Sequence, residues 1–205
     1  MSDAGPTIAL CMIVRDEAPI IGRCLASVRG LVDRWVICDT GSTDGTPEAV
    51  RAALDGVPGH LHTSHWEDFG HNRTELMRLA HGTADYLLLL DADMTVERTA
   101  PLPELTADAY LLRERGELDF GVLRLVRGDR EWWYEGSTHE YLCTDGRFTQ
   151  EELPALRVEH HADGSSRDGK LIRDLALLKR DVARGTDTPR TAFYLAQTYR
   201  DLGRH

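Results

Sequence analysis

The stretch that most constrains the fold is Tyr86-Leu87-Leu88-Leu89-Leu90-Asp91-Ala92-Asp93, an uninterrupted apolar run that stops at two carboxylates one residue apart. A run this short, bounded by polar residues, reads as a central strand buried on both faces, as in parallel sheets. Carboxylates at i and i+2 of an extended chain share a side, and a divalent cation held between them relieves their repulsion. Asp91 and Asp93 are therefore candidate metal ligands for a phosphate-bearing molecule. A strand that ends in a solvated turn is the competing reading, and the surrounding chain decides between the two.

Upstream, strand patterns alternate with helix patterns. Thr7 to Val14 is β-rich and apolar and breaks at Arg15-Asp16-Glu17, after which Ile20, Ile21, Cys24, Leu25 and Val28 recur at helical spacing. Trp35 to Cys38 runs into Asp39-Thr40-Gly41-Ser42-Thr43-Asp44-Gly45-Thr46-Pro47, with Thr46 expected as the N-cap of the next helix and Pro47 at its first position. A short strand around His60 to Thr63, a loop with Trp66 and Phe69, and a helix carrying Leu76, Met77, Leu79 and Ala80 precede the leucine run. The alternation predicts an α/β fold with right-handed crossovers and a mainly parallel sheet, whose ligand site lies at the carboxyl ends of the strands. Arg15-Asp16-Glu17, Asp39 to Asp44 and Asp91-Ala92-Asp93 all fall at those ends, which favours the ligand-site reading.

With 205 residues, 41% of them hydrophobic, the chain can bury one substantial core with a short helical appendage beside it. Its formal charge of −10 and lack of a long basic stripe argue against nucleic acid as the main partner. No apolar stretch is long enough to span a bilayer, and the first residues lack the pattern of a secretory signal, so a cytoplasmic location is expected. Cys11, Cys24, Cys38 and Cys143 have no C-x-x-C spacing, which points away from structural disulfides and zinc.

Met12-Ile13-Val14-Arg15-Asp16-Glu17, Asp39-Thr40-Gly41-Ser42-Thr43-Asp44-Gly45-Thr46 and Asp91-Ala92-Asp93 together resemble the family 2 glycosyltransferases of the GT-A fold, in the same order along the chain. The resemblance implies a metal-dependent, inverting enzyme that takes a nucleotide-diphosphate sugar, UDP-linked, and passes the sugar to a saccharide, small-molecule or peptide acceptor. It implies Glu17 and Asp39 as contacts to base and ribose. Val14, Arg15, Gly41, Ser42, Arg73, Asp91 and Ala92 complete the nucleotide-sugar site. Asp91 and Asp93 would hold Mn²⁺ or Mg²⁺ against the diphosphate. Asp16 stands where the family usually has asparagine, Met94 where a Glu often follows the D-x-D, and only part of the familiar R-N pair surrounds Arg73.

Beyond Met94 the β-α alternation gives way to hairpins. Ala109 to Arg113 and Phe120 to Val126 read as strands around Gly116. In Glu131-Trp132-Trp133-Tyr134-Glu135-Gly136-Ser137-Thr138-His139-Glu140, aromatics beside acids suit a sugar face, with Trp132, Trp133 and His139 as candidate acceptor contacts and a buried-core role for the rings as the alternative. Similar enzymes carry an H-E after such a segment, which makes Glu140 the candidate general base and Glu135 the reserve. After the strand Leu156 to Glu159, similar enzymes place a late histidine on the metal; strand alternation favours His160 over His161. Arg167 and Lys170 sit in a flap-like segment that could close on the phosphates.

The expected division is a glycosyltransferase domain over 1–166, with a nucleotide-sugar half over 1–94 and an acceptor half over 95–166, followed by C-terminal helices over 167–205. Leu171, Ile172, Leu175, Leu178 and Val182 are expected to form one amphipathic face, and Ala196, Tyr199, Leu202 and Gly203 share the spacing of a tetratricopeptide helix. Two other functions compete. A catalytically silent module that binds a sugar nucleotide or peptide would use the helices as a platform, against which the intact acids argue. A nucleotidyltransferase would need a glycine-rich basic loop after the first strand, which is absent.

Overall fold

The computed structural model describes residues 5–115, 120–165 and 169–203. Gly116, Arg167 and the expected boundary between 166 and 167 lie outside the described residues. Four strands and three helices alternate through the first half: β1 Ile8–Val14, α1 Ile21–Val28, β2 Arg34–Asp39, α2 Thr46–Ala53, β3 Gly59–Thr63, α3 Phe69–Ala80 and β4 Tyr86–Leu89. There follow β5 Met94–Arg98, β6 Ala109–Arg115, β7 Phe120–Arg127, β8 Trp133–Glu135, β9 Tyr141–Cys143, β10 Gln150–His160, and the helices α4 Lys170–Arg184 and α5 Pro189–Asp201.

Eight strands form one mixed sheet in the order β3-β2-β1-β4-β7-β6-β10-β5, and β8 pairs with β9 in a separate ribbon. The pairs β3·β2, β2·β1, β1·β4 and β10·β6 run parallel, while β7 is antiparallel to both neighbours and β5 is antiparallel to β10. The leucine run is the strand β4, in the interior of the sheet between β1 and β7.

Alternation along the strands makes two cores. Leu10 and Met12 with Leu88 and Leu90 face one layer, where α1 and α2 add Ile21, Leu25 and Val50. Ala9, Cys11, Leu87 and Leu89 face the other, closed by Leu76, Met77 and Ala80 of α3. Covering both faces explains why β4 is apolar at every position, each leucine contributing about 1.5–3 kcal/mol of burial. All four cysteines are free, and burial pushes the Cys24 and Cys38 thiols up to about 12.

The expected cap of α2 moves by one position. Thr46 is the first helical residue and Gly45 the N-cap, because the Thr46 hydroxyl is taken by the Glu17 backbone N–H at 2.7 Å and by Asp44 Oδ1 at 2.5 Å. The apolar face expected for α4 also shifts. Leu175 and Leu178 are buried together with Asp174 and Leu177, whereas Leu171, Ile172 and Val182 stay exposed. Asp174 is only 1% exposed because it accepts from Thr138 Oγ1 at 3.0 Å and pairs with Lys170, so the helix is rotated to meet the segment between β8 and β9.

Candidate active site

The loops after β1 and β2 are stitched into one unit. Asp16 takes a positive φ of 53°, a conformation that Asp tolerates, and from there its backbone N–H donates to Ser42 Oγ at 3.0 Å while its Oδ1 accepts from Thr43 N at 2.7 Å. Ala18 N donates to Asp44 Oδ2 at 3.0 Å. Asp39 turns back on its own loop, its Oδ1 accepting from Gly41 N at 2.8 Å and Ser42 N at 2.7 Å, and the φ of 104° at Gly41 is a backbone state that side chains disfavour. The motif from Asp39 to Thr46 thus builds the rim of the sheet edge. Asp39, Gly41 and Ser42 hold loop geometry, and Thr40 is the residue of this loop that faces the adjoining cleft.

That cleft, about 430 Å³, opens where β1, β2 and β4 end. Of the expected donor-site residues, Val14, Arg15, Glu17, Arg73, Asp91, Ala92, Asp93 and His160 line it. Further lining residues outside the expected set include Trp66 and Phe69, whose rings meet edge to face at 4.9 Å, Ser165, and Arg173, whose guanidinium lies 5.1 Å from the Phe69 ring centroid. An aromatic pair in a polar loop was the available signal for the first two. Lys170 also lines the cleft and pairs with Asp174.

Arg73 ties the cleft together. Its Nη2 donates to Asp91 Oδ1 at 2.6 Å and its Nε to Glu140 Oε1 at 2.8 Å, with the side chain 13% exposed and lying 5.7 Å from the Tyr134 ring centroid. Arg124 approaches Asp91 Oδ2 at 3.9 Å from β7 and is itself held by Glu114 at 2.5 Å. Burial alone would raise the Asp91 carboxyl; Arg73 and then Arg124 outweigh it and hold the group below its ordinary value. Arg124 and Glu114 were also absent from the sequence reading, although charges inside the apolar strands β7 and β6 are the trace they leave.

The expected ligand set Asp91, Asp93 and His160 therefore does not converge as one cluster. Both oxygens of Asp91 face arginines, and among the described residues no group of three His, Cys, Asp or Glu side chains is arranged to hold a metal ion. Asp93 and His160 do meet, Oδ2 to Nε2 at 3.0 Å, and the Asp93 carboxylate raises the imidazole above its ordinary value. His161 turns to Thr95 Oγ1 at 3.0 Å. The oxygen and nitrogen donors of Asp93 and His160 suit a divalent cation that takes its remaining ligands from phosphate and water. Gly164 packs beside them, where a Cβ would lie 3.2 Å from Asp93 Oδ2.

Glu17 is covered by the chain itself. Ser165 N donates to its Oε1 and Oε2 at 3.1 and 3.2 Å and Ser165 Oγ lies 2.9 Å from Oε1, while Asp163 pairs with Arg23 of α1 at 2.8 Å. Burial raises the Glu17 carboxyl, and the Ser165 bonds offset part of that rise.

The expected acceptor contacts are redistributed. Trp132, just before β8, is 4% exposed, packs in the second core and donates its indole N–H to Arg127 O at 2.9 Å, so it is a core residue. Trp133 bonds Glu135 at 3.3 Å away from the cleft. His139, at a φ of 51°, stacks on Tyr194 of α5 with ring centroids 3.9 Å apart, and burial lowers its imidazole below its ordinary value. The ring and the backbone carbonyl of His139 both contact α5. Glu135 faces a second cavity and accepts from Tyr141 Oη at 2.6 Å, whereas Glu140 is the acid that reaches Arg73.

This sheet, with Glu17 after β1 and Asp91 and Asp93 after β4 in one cleft and the loop after β2 on its rim, defines a GT-A fold. Residues 9–154 match the family described as Glycosyl transferase family 2, and the chain belongs to that family. It is 35% identical over 162 residues to a TPR repeat-containing protein of Synechococcus elongatus, covering 74% of this chain and 39% of that protein. It is 24% identical over 149 residues to the SPbeta prophage-derived glycosyltransferase SunS of Bacillus subtilis, covering 66% of this chain and 34% of the relative. The chain thus spans well under half the length of these relatives. The crystal structure of S. aureus TarS 1-349 in complex with UDP shares the fold at a TM-score of 0.51 and 11% identity, covering 94% of this chain and 70% of that one.

Proposed function

We propose that the chain is a metal-dependent, inverting glycosyltransferase. It binds a nucleotide-diphosphate sugar, UDP-linked, in the cleft beside Asp91 and Asp93 and transfers the sugar to an acceptor nucleophile. The observation that carries this reading is the single guanidinium of Arg73 bonded to both Asp91 and Glu140, which ties a carboxylate to the strand-end acids of a family 2 chain.

The roles follow from chemistry. Val14, Arg15 and Ala92 supply backbone and a cation along the cleft, Trp66 and Phe69 supply ring faces for the base or sugar, and Lys170 and Arg173 supply positive charge for the diphosphate. Asp93 and His160 would hold Mn²⁺ or Mg²⁺, which when bound would supply positive charge to offset that of the departing diphosphate. Arg73 occupies Oε1 of Glu140, so Oε2 is the oxygen that takes the acceptor proton as the nucleophile attacks the anomeric carbon and the bond to diphosphate breaks. Removing Arg73 would release both acids at once.

The test is a thermal-shift screen of UDP-, GDP- and dTDP-sugars with Mn²⁺, followed by calorimetry and donor turnover for Glu140→Gln. A UDP-sugar stabilises the protein most, and Glu140→Gln keeps donor affinity while turnover falls by about 10²- to 10⁴-fold. Stabilisation by none of the three sugar nucleotides, or full turnover in Glu140→Gln with loss in Glu135→Gln, overturns the assignment.

A further inference from the structure

A second cavity of about 370 Å³ lies between α3, the β8·β9 ribbon and the α4–α5 hairpin. Its acids are occupied by the chain's own donors. Asp68 accepts from His71 N at 2.8 Å and pairs with Arg180, Glu135 accepts from Tyr141 Oη at 2.6 Å, and Asp181 accepts from Ser137 Oγ at 2.6 Å. Of the four arginines that line the cavity, Arg180 pairs with Asp68 and Arg184 with Glu67, which leaves Arg190 and Arg78. Arg190 has no carboxylate partner among the described residues. Its guanidinium is held 5.1 Å from the Tyr141 ring centroid and 4.9 Å from that of Tyr194, with its Nε donating to His139 O at 3.0 Å. Arg78, on the last turn of α3, lines the same cavity and makes no hydrogen bond or ion pair among the described residues.

The position of Arg190 sharpens the point. It stands in the first turn of α5, after the N-cap Thr188 and Pro189, where no acidic residue accompanies it and where the helix dipole disfavours a cation. Two ring faces and a backbone carbonyl fix this exposed guanidinium in the cavity lining at an electrostatically unfavourable place, and its one hydrogen bond among the described residues is made by Nε, not by a terminal nitrogen. A bound oxyanion would relieve that penalty and satisfy the planar donor fork in one contact.

We infer that the second cavity is an oxyanion-binding site, gripped by Arg190 with Arg78, and that it seats a phosphate- or carboxylate-bearing group of the acceptor. Calling the ligand an acceptor rests on the glycosyl-transfer reading; the anion site does not. The link to that reaction is short. The carbonyl that anchors Arg190 belongs to His139, the residue before Glu140, and Tyr134 both lines this cavity and lies against Arg73.

The test is a calorimetric titration of the full chain with inorganic phosphate, and separately with acetate, in the presence of saturating UDP and Mn²⁺ to occupy the donor cleft. One saturable site is expected. Arg190→Gln should weaken it by about tenfold or more, as for a lost charge-assisted bond, and Arg78→Gln by less, while UDP affinity stays unchanged. Arg51→Gln, in an exposed arginine of α2, should leave the isotherm as it is. Tighter phosphate than acetate assigns the site to a phosphorylated acceptor and the reverse order to a carboxylate. Absence of saturable binding by either anion, or an isotherm unchanged in both Arg190→Gln and Arg78→Gln, overturns the inference. If UDP fails to bind while the phosphate isotherm and its Arg190 dependence persist, the donor reading fails and the anion site stands. Arg78→Gln, on an exposed side chain, keeps the test decisive if Arg190→Gln disturbs the packing of α5.

Discussion

The Ser165 N–H and hydroxyl both reach the Glu17 carboxylate, at 3.1 and 2.9 Å from Oε1, so the segment that follows β10 covers the acid that follows β1. A nucleoside that uses Glu17 has to displace Ser165 first.

Ser165→Ala keeps the backbone bond and removes the hydroxyl contacts to Glu17 and to Arg15 O at 2.7 Å. A hydrogen bond of this kind contributes about 1 kcal/mol net, so UDP should associate about fivefold faster. Stopped-flow fluorescence of Trp66, which lines the cleft, reads the rate. An unchanged association rate would show that Ser165 is no barrier.

Arg73→Ala leaves Asp91 with only the more distant Arg124 and leaves Glu140 Oε1 without its partner. Breaking a largely buried ion network from one side costs about 3–5 kcal/mol, and urea unfolding should show that loss. Arg73→Lys should recover part of it, because an ammonium can reach one carboxylate but lacks the fork that spans two. Equal stability of Arg73→Ala and the wild type would contradict the bridging role.

Gly70→Ala tests the seat of α3 on the ribbon. A Cβ at Gly70 would lie 2.1 Å from Gly136 O, where Phe69 N already donates to Ser137 O at 3.1 Å, so one backbone has to move. Overpacking of this sort costs about 1–3 kcal/mol. Thermal unfolding reads it, and an unshifted midpoint would mean that the ribbon yields freely.

Acid pH should destabilise the fold partly through two carboxylates remote from the cleft. Asp85 is held below its ordinary value by bonds from Thr7 N and Oγ1, both at 2.7 Å, and Asp108 by Thr149 N at 2.8 Å. With folded values below unfolded ones, the unfolded state binds more protons, so this stability is present above the unfolded value and is lost as pH falls through the folded value. Asp85→Asn should flatten the decline of stability below about pH 4, seen by chemical denaturation at several pH values.

The first half of the fold was legible because its signals are local. Period-two and period-3.6 patterns mark β1 to α3, and the leucine run marks β4 as an interior strand covered on both faces. Met94–Arg98 was not legible: five residues directly after the D-x-D form the far edge strand, paired with β10, and nothing local announces a partner so distant in sequence. The site divides in the same way. Strand-end acids could be placed by topology, but the pairing of Arg73 with Glu140 depends on how α3 meets the ribbon. Trp132 and Trp133 looked alike in sequence, and only packing separates the buried ring from the half-exposed one. Asp39, Gly41 and Ser42 are expected as ligand contacts, and their observed hydrogen bonds fold the loop after β2 on itself, while Ser42 and Thr46 join it to the loop after β1.

On the proposed reading, Asp93 and His160 hold a divalent cation through which the donor diphosphate binds a chain of net charge −10. The most direct measurement is a calorimetric titration of UDP into the full chain, in Mn²⁺ and in EDTA, for the wild type, Asp93→Ala, His160→Ala and His161→Ala. UDP should bind the wild type at least about tenfold more tightly with Mn²⁺, a difference of about 1.4 kcal/mol. Asp93→Ala and His160→Ala should lose that difference and His161→Ala should keep it. Equal UDP affinity of the wild type in Mn²⁺ and in EDTA would contradict the claim.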